Sequence, residues 1–284
     1  MTDAVRTAPP QAQLKEAMAQ HWEVEPCNTR YATAGDRLAY FRELEEARYR
    51  MEPNILELAR FDQSHGKEVL EIGVGAGVDF FQWVRNGARA TGVDLTEHGI
   101  GMAREYLSLA GYDPSAYTLR TADAEALPFP DASFDVVYSY GVLHHTPDTV
   151  KAYAEAWRVL RPGGELRTMI YHAPSWTAFN LWLYHALSKL RPWKSLKQVV
   201  FENLESPGTK VYSVPEARAM ARQAGIPDPR VNTFLDCGDL LNIKLSKKYD
   251  RNWLVKFAMF VYPRPLIKFF GNRLGTTMHV AATK

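Results

Sequence analysis

The densest chemical signal in the chain is the run EVLEIGVGAG at 68–77, where Gly73, Gly75 and Gly77 alternate with small residues directly after an apolar stretch. Glycine adopts backbone conformations that a side chain forbids and lets a ligand approach the main chain, so such a turn at the carboxyl end of a strand suits a nucleotide cofactor. A dinucleotide fingerprint, G-x-G-x-x-G, needs its third glycine where Val78 stands. The spacing therefore weakens a pyrophosphate reading and leaves another nucleoside or a structural turn. Asp94, in TGVDL at 91–95, ends the next strand, where a carboxylate can accept both ribose hydroxyl protons; a helix-capping or turn role is the alternative. Asp123 ends the strand after that, where its carboxylate can accept an adenine amino group while the amide of Ala124 faces the ring. Together the three signals imply an adenosine. His144 and His145 follow the fourth strand and His172 the fifth, all at the same edge, and an imidazole titrating near neutrality is a natural general base. Of the three, His145 is the expected base. Hydrogen bonding within the loop is the competing role for the paired histidines.

Groups so far apart in sequence can meet only if a sheet collects them. Strand-like runs at 68–72, 88–95, 117–122, 134–139 and 165–171 alternate with amphipathic helices. Each helix must bury its apolar stripe on the sheet, which predicts an α/β fold: a Rossmann-like, doubly wound sheet of parallel strands with right-handed crossovers. LRPGG at 160–164 closes the helix that begins near Thr149, and SVPE at 213–216 is a capping box for a helix ending near Gly225. Candidate strands at 230–235 and 276–282 complete the sheet. Upstream, 14–59 is helical, with Phe41, Leu44, Arg48 and Met51 at three- and four-residue spacing as far as Pro53. The expected organisation is a tail and helical lid over 1–59, a cofactor-binding core over 60–172, a cap insertion over 173–212, and a completion of the core over 213–284. A second insertion lies at about 238–275.

Composition narrows the class. The 284 residues are 46% hydrophobic and 23% charged, which is ordinary globular usage, and exceed one average domain. A formal net charge of +2 gives no global field of the kind that draws a protein onto nucleic acid, so no nucleic-acid partner is expected. Cys27 and Cys237 are too few for a disulfide framework and lack metal-ligand spacing, which fits a reducing compartment, the cytoplasm by default. The first dozen residues, with Pro9 and Pro10, contain no apolar run resembling a signal peptide. The most apolar stretch, 176–190, is interrupted by Asn180, His185 and Lys189 and falls short of the roughly 20 residues that span a bilayer.

VLEIGVGAG at 69–77, TGVDL at 91–95, DAEALPFPDASFDVVYSYGVLHH at 123–145 and RVLRPGGEL at 158–166 resemble the class I S-adenosylmethionine-dependent methyltransferases. The nearest likeness is the branch of ubiquinone and menaquinone C-methyltransferases and many natural-product methyltransferases, and it covers roughly 67–171. The resemblance implies S-adenosyl-L-methionine as cofactor and in-line methyl transfer to an N, O, S or C nucleophile of a small-molecule acceptor. It also implies that Glu71, Gly73, Gly75 and Gly77 lie along the methionine part, that Asp94 holds the ribose, and that Asp123 and Ala124 read the adenine. Leu95 would pack on the adenine face, and the strand end at Tyr140 would meet the methionine amino group. The lead-in, with Arg30, Tyr31 and Arg42, resembles N-terminal helices that lid the cofactor in related enzymes, so one of these would touch the methionine carboxylate.

Outside 67–171 the residues leave alternatives. Trp176, Phe179, Trp182, Tyr184, Trp193 and Tyr212 could offer an aromatic acceptor pocket or form the core of a helical cap. SPGT at 206–209 could be a turn reaching into that pocket or a surface turn. Between 244 and 273, eight basic residues and one acid, Asp250, are interleaved with aromatics such as Tyr249, Trp253 and Phe257. That mixture fits either peripheral contact with an anionic membrane or a capping helix pair with snorkelling basic rims. A nicotinamide-dependent oxidoreductase and a non-catalytic cofactor-binding or membrane-associated accessory protein are the other two functions considered.

Overall fold

The structure is a computed structural model and describes residues 11–24, 29–204, 206, 208–243 and 259–284. Cys27, and the 244–258 part of the basic aromatic segment with Tyr249, Asp250, Trp253 and Phe257, lie outside the described residues. Strands β1 (Glu68–Ile72), β2 (Arg89–Asp94), β3 (Tyr117–Thr121), β4 (Phe134–Tyr140), β5 (Leu160–Tyr171), β6 (Arg230–Phe234) and β7 (Thr277–Thr283) form one sheet. Their order across it is β3-β2-β1-β4-β5-β7-β6. The helices are α1 (Gln11–Val24), α2 (Arg37–Met51), α3 (Asn54–Ala59), α4 (Val78–Arg85), α5 (Glu97–Leu109), α6 (Thr149–Arg158), α7 (Trp176–His185), α8 (Leu196–Asn203), α9 (Val214–Gln223) and α10 (Arg264–Phe270).

The α/β expectation holds, with one correction to strand direction. Strands β1 to β5 pair in parallel, whereas β7 runs antiparallel to both β5 and β6. The reason is where the chain re-enters the sheet. Strand β6 ends at Phe234 and β7 starts at Thr277, which pairs with both Phe234 and Tyr171, so the intervening segment leaves and returns at one edge. A strand entered from that edge must run backward.

Period-two alternation sends the residues of β1 to opposite sides of the sheet. Leu70 and Ile72 pack on one side with Tyr153, Ala156, Leu166, Met220 and Val280, beneath α6 and α9. Val69 packs on the other with Ile55, Phe80, Trp83, Ile100 and Tyr138, beneath α3, α4 and α5. Helix starts are fixed by side chains that accept the first exposed backbone amides. Asp36, Thr96, Asp148, Ser175 and Ser195 cap α2, α5, α6, α7 and α8, and Ser213 with Glu216 forms the expected capping box of α9. No described helix is long and apolar enough to cross a membrane.

Two of the three motif glycines are demanded by packing. Gly73 (φ +84°) and Gly77 (φ +79°) both adopt left-handed backbone conformations. A Cβ at Gly73 would lie 2.2 Å from a methyl of Val142, and one at Gly77 would lie 2.5 Å from the Cα of Ala103 on α5. Gly77→Ala is therefore expected to lower unfolding free energy by about 2 kcal/mol or more, from strain plus displaced backbone. Gly111→Ala, at similar positive φ but with open space around it, should cost only about 1 kcal/mol. Urea unfolding of the two variants, compared with the parent, measures the difference.

Candidate functional site

One cavity opens along the carboxyl edge of the parallel strands, and the strand order determines the order of its walls. It meets Asp123 and Ala124 beyond β3, then Asp94, Leu95 and Thr96 beyond β2, then Glu71, Gly73 and Gly75 at β1. It continues to Tyr140, Gly141, Val142 and His145 at β4, and to Met169 and Tyr171 on β5. A ligand lying along the edge touches these groups in that sequence. Such crevices at the switch point of an open parallel sheet are where these folds bind ligands. Two lid helices close the other side. Lys15, Met18 and Trp22 come from one face of α1, and Leu44 and Arg48 from α2 with Glu52 just beyond it, each set at three- or four-residue spacing.

The floor is a buried ionic network centred on Asp79, in the first turn of α4. Its carboxylate accepts two hydrogen bonds from the Arg48 guanidinium, at 2.8 and 2.6 Å, and one each from the phenols of Tyr49 and Tyr138, at 3.1 and 2.8 Å. A bidentate guanidinium is the geometry a buried carboxylate needs to offset desolvation. Glu71 lies beside this network and is 3% exposed, with Oε2 lacking a hydrogen-bond partner among the described residues. Burial, reinforced by the Asp79 charge, pushes the Glu71 carboxyl well above its ordinary pKa. Leaving Glu71 aside, the described lining residues Glu52, Asp79, Asp94 and Asp123 still outnumber the two fixed cations, Lys15 and Arg48. That excess of carboxylates suits a ligand carrying positive charge.

At the opposite end, Asp94 and Asp123 are already organised by the protein. Asp94 accepts the Gly75 amide at 2.9 Å through one oxygen and the Thr96 amide and hydroxyl through the other, so the turn role is real and holds the carboxylate against the glycine loop. Asp123 accepts the Lys15 ammonium at 2.6 Å, and Glu125 accepts it at 2.9 Å. Burial opposes the charge on Lys15, but these two carboxylates more than compensate and raise its pKa.

The structure brings Glu71, Gly73, Gly75, Asp94, Leu95, Asp123, Ala124, Tyr140 and His145 to the cavity wall, as the sequence reading expected. Five expected site residues are not on it. Gly77 caps α4 and packs against α5. Tyr31, in the short helix Thr29–Tyr31, does not line the cavity, and Arg42 is exposed. Arg48 stands where Arg42 was expected, because six residues on an α-helix rotate the side chain by about 120° and carry it from solvent to the cavity. His172 is bonded through Nδ1 to the Gly275 carbonyl at 2.9 Å, away from the cavity. His144 is fully buried against Tyr171 and His145, and burial lowers its pKa well below the ordinary value. His145 remains. Its Nδ1 lies 2.9 Å from the Ser206 hydroxyl and 3.2 Å from that of Thr209, so these two side chains reach the site by holding this ring.

The inserted aromatics do not form an aromatic pocket. None of Trp176, Phe179, Trp182, Tyr184, Trp193 and Tyr212 lines the cavity; its rings are Trp22, Tyr140, His145 and Tyr171. Sequence reading missed Lys15, Met18, Trp22, Glu52, Asp79, Met169 and Tyr171. Their signal was the helical spacing of Lys15, Met18 and Trp22 and of Leu44 and Arg48, which mixes charged and apolar residues on one face and so disguises it.

Comparison with known proteins follows the same lines. Residues 70–168 match the family described as "Methyltransferase domain". The chain is 39% identical over 102 residues to a 27-O-demethylrifamycin SV methyltransferase of Amycolatopsis mediterranei, a stretch that is 36% of this chain and 37% of that protein. It is 30% identical over 163 residues to the demethylmenaquinone methyltransferase of Tropheryma whipplei, covering 56% of this chain and 66% of that protein. Each match takes in less than two thirds of the relative's length. In fold, 82% of this chain superposes on 52% of Haemonchus contortus phosphoethanolamine N-methyltransferase 2, solved in complex with S-adenosyl-L-methionine, at a TM-score of 0.54 and 20% identity.

Two outcomes test this reading of the site. Asp79→Ala strands a buried guanidinium and two buried phenols and should cost about 3–5 kcal/mol of stability, whereas Arg42→Ala should change it by less than about 0.5 kcal/mol. Urea midpoints at neutral pH check both. Burial also lowers the pKa of His279 from 6.5 to about 4. Because the folded pKa lies below the unfolded one, the unfolded chain takes up protons first, so stability present above pH 6.5 is lost as pH falls toward 4. His279→Gln should remove about 3 kcal/mol of that acid-side loss, seen as a shallower dependence of unfolding free energy on pH.

Proposed function

We propose that this chain is a class I S-adenosylmethionine-dependent methyltransferase that transfers the methyl group to a small, lipophilic organic acceptor, a reading supported by the match of residues 70–168 to a methyltransferase-domain family. The observation that carries the reading is the order of groups along the strand edge, from Asp123 and Ala124 through Asp94 and Leu95 to Gly73 and Glu71. Adenine, ribose and methionine need acceptors and close backbone in that same succession. Ala124 and Leu95 would flank the adenine, Asp94 would accept from the ribose, and the orphaned carboxylate of Glu71 would receive the methionine ammonium. Arg48, over the Tyr140 ring at 5.3 Å, would attract the methionine carboxylate. Asp123 would serve the adenine amino group beside Lys15 or in its place.

When bound, S-adenosylmethionine supplies an already activated methyl group on a sulfonium, so the protein's task is placement and exclusion of water. Met18, Trp22, Val142, Met169 and Tyr171 give the β4–β5 end of the cavity an apolar wall. That lining, and relatives named for demethylmenaquinone and rifamycin SV, support a lipophilic acceptor. Where the acceptor must lose a proton, His145 would receive it. In the tautomer whose Nδ1–H donates to the Ser206 hydroxyl, 2.9 Å away, Nε2 would be the nitrogen that accepts the proton.

A nicotinamide enzyme fits the site poorly. The start of α4, where a pyrophosphate would sit, is occupied by the Asp79 carboxylate, and the surrounding carboxylates repel an anion. A cofactor binder without activity is separated by turnover alone. Two cysteines, too few for a disulfide framework, support a reducing compartment such as the cytoplasm.

Calorimetric titration with S-adenosylhomocysteine beside NAD is the direct test. One-to-one binding of the first and none of the second is expected, and binding of NAD alone would overturn the reading. Asp94→Asn should weaken S-adenosylhomocysteine binding by about 1–3 kcal/mol. His145→Gln should leave that affinity intact while lowering kcat by about 100-fold or more on an acceptor that must be deprotonated.

A further inference from the structure

Exposed apolar side chains are concentrated on one part of the molecule. Of the thirteen large hydrophobic residues exposed among the described residues, five lie within 179–193 and five within 260–270. The most exposed are Leu190 at 82%, Trp193 at 75%, and Phe260 and Phe269 at 83% each. The two segments are fixed side by side. Asn180 on α7 donates to the Tyr262 hydroxyl at 2.7 Å, and the Trp176 ring meets that of Phe270 on α10 at 6.3 Å. Neither 174–201 nor 259–276 contains an aspartate or glutamate, while together they carry Lys189, Arg191, Lys194, Lys197, Arg264, Lys268 and Arg273. Lys194 and Lys197 pair with Glu202 and Glu216, but Lys189, Arg191, Lys268 and Arg273 have no carboxylate partner among the described residues. Both segments spring from the edge of the sheet that carries the cavity. Helix α7 follows Tyr171, a cavity residue, and 259–276 leads into Thr277, which pairs with Tyr171.

We propose that this α7–α10 face docks the protein on an anionic lipid bilayer, with the exposed rings and leucines in the interfacial layer and the basic side chains on lipid phosphates. Apolar anchors bordered by lysine and arginine, without acids, are the composition that binds such an interface. Long basic side chains can bury their stems while their heads stay among the phosphates. A second copy of the chain is a poor occupant, because a two-fold contact places the same patch on itself and would bring cations face to face with no carboxylate opposite. The proposal stands apart from the methyl-transfer reading, although a membrane-borne lipophilic acceptor would then meet the cavity's own edge.

Sedimentation of the full chain with phosphatidylcholine vesicles, with and without phosphatidylglycerol, tests it. Binding is expected only to the phosphatidylglycerol vesicles and should fall as salt is raised. Trp193→Ser with Phe269→Ser, and separately Lys268→Glu with Arg273→Glu, should each reduce the vesicle-bound fraction about tenfold or more while leaving S-adenosylhomocysteine affinity unchanged. The proposal fails if the parent stays in the supernatant with both vesicle types, or if it binds both equally and independently of salt. It also fails if light scattering shows a dimer that these substitutions dissolve. Should a variant not fold, the parent's dependence on lipid charge and salt decides. Loss of S-adenosylhomocysteine binding in the parent would count against the methyl-transfer reading and leave this one untouched.

Discussion

The buried contact between Arg48 and Asp79 is the constraint on which the site depends. It ties the lid helix α2 to the first turn of α4, the helix that the glycine loop launches, and the phenols of Tyr49 and Tyr138 complete the carboxylate's hydrogen bonds. A buried pair of this kind is costly to desolvate and contributes little net stability, but breaking it leaves an uncompensated charge in the interior. Its effect is to hold one arrangement. It also places a carboxylate at the positive end of α4, where an anionic ligand group would otherwise be attracted. A protein carboxylate thus takes the place that an anionic ligand group would otherwise fill.

The two lid helices are held by different physics. Helix α2 is fixed through Arg48 and through Phe41 and Leu44, both buried in a cluster with Val78 and Tyr106. Helix α1 is held at the β3 end of the cavity by Lys15, whose pairs with Asp123 and Glu125 are partly solvated. Ion pairs of that exposure are worth roughly 0–1 kcal/mol, against several for a buried one. Opening the site at Lys15 is therefore cheap and opening it at Arg48 is not. The β1 end of the cavity stays organised whether or not the β3 end is covered.

The same economy of edges explains the cap. The chain leaves the sheet after Tyr171 and again after Phe234, and both excursions return to the edge that carries the cavity. Asp239 fastens them together, accepting the Thr177 amide and hydroxyl at the start of α7 and the Thr276 amide and hydroxyl before β7. That one buried carboxylate sets α7 and the last strand in register with each other. It leaves the aromatics of α7 facing away from the cavity rather than into it.

The sequence by itself determined the elements and the cofactor edge, because those rest on local rules. Apolar, β-forming runs located six of the seven strands to within a residue or two at their ends, whereas β5 begins at Leu160, five residues before its run, inside the LRPGG segment read as a turn; turn residues and caps located the helices, and each parallel strand delivers its last residues to one edge, so Asp94, Asp123, Gly73 and His145 were legible as a set. What depends on rotation about a helix or on a distant partner was not. Arg48 shares the helical stripe of Phe41 and Leu44 whereas Arg42 does not, but only the packed structure shows that this stripe faces the cavity. Gly73 and Gly77 look alike in sequence, and only the approach of α5 makes one a cavity residue and the other a packing residue. His144, His145 and His172 share an edge, yet the Ser206 and Thr209 hydroxyls and the Gly275 carbonyl, all remote in sequence, decide which ring reaches the cavity. Backbone geometry is written residue by residue, whereas the direction of a side chain is set by neighbours that only the folded chain supplies.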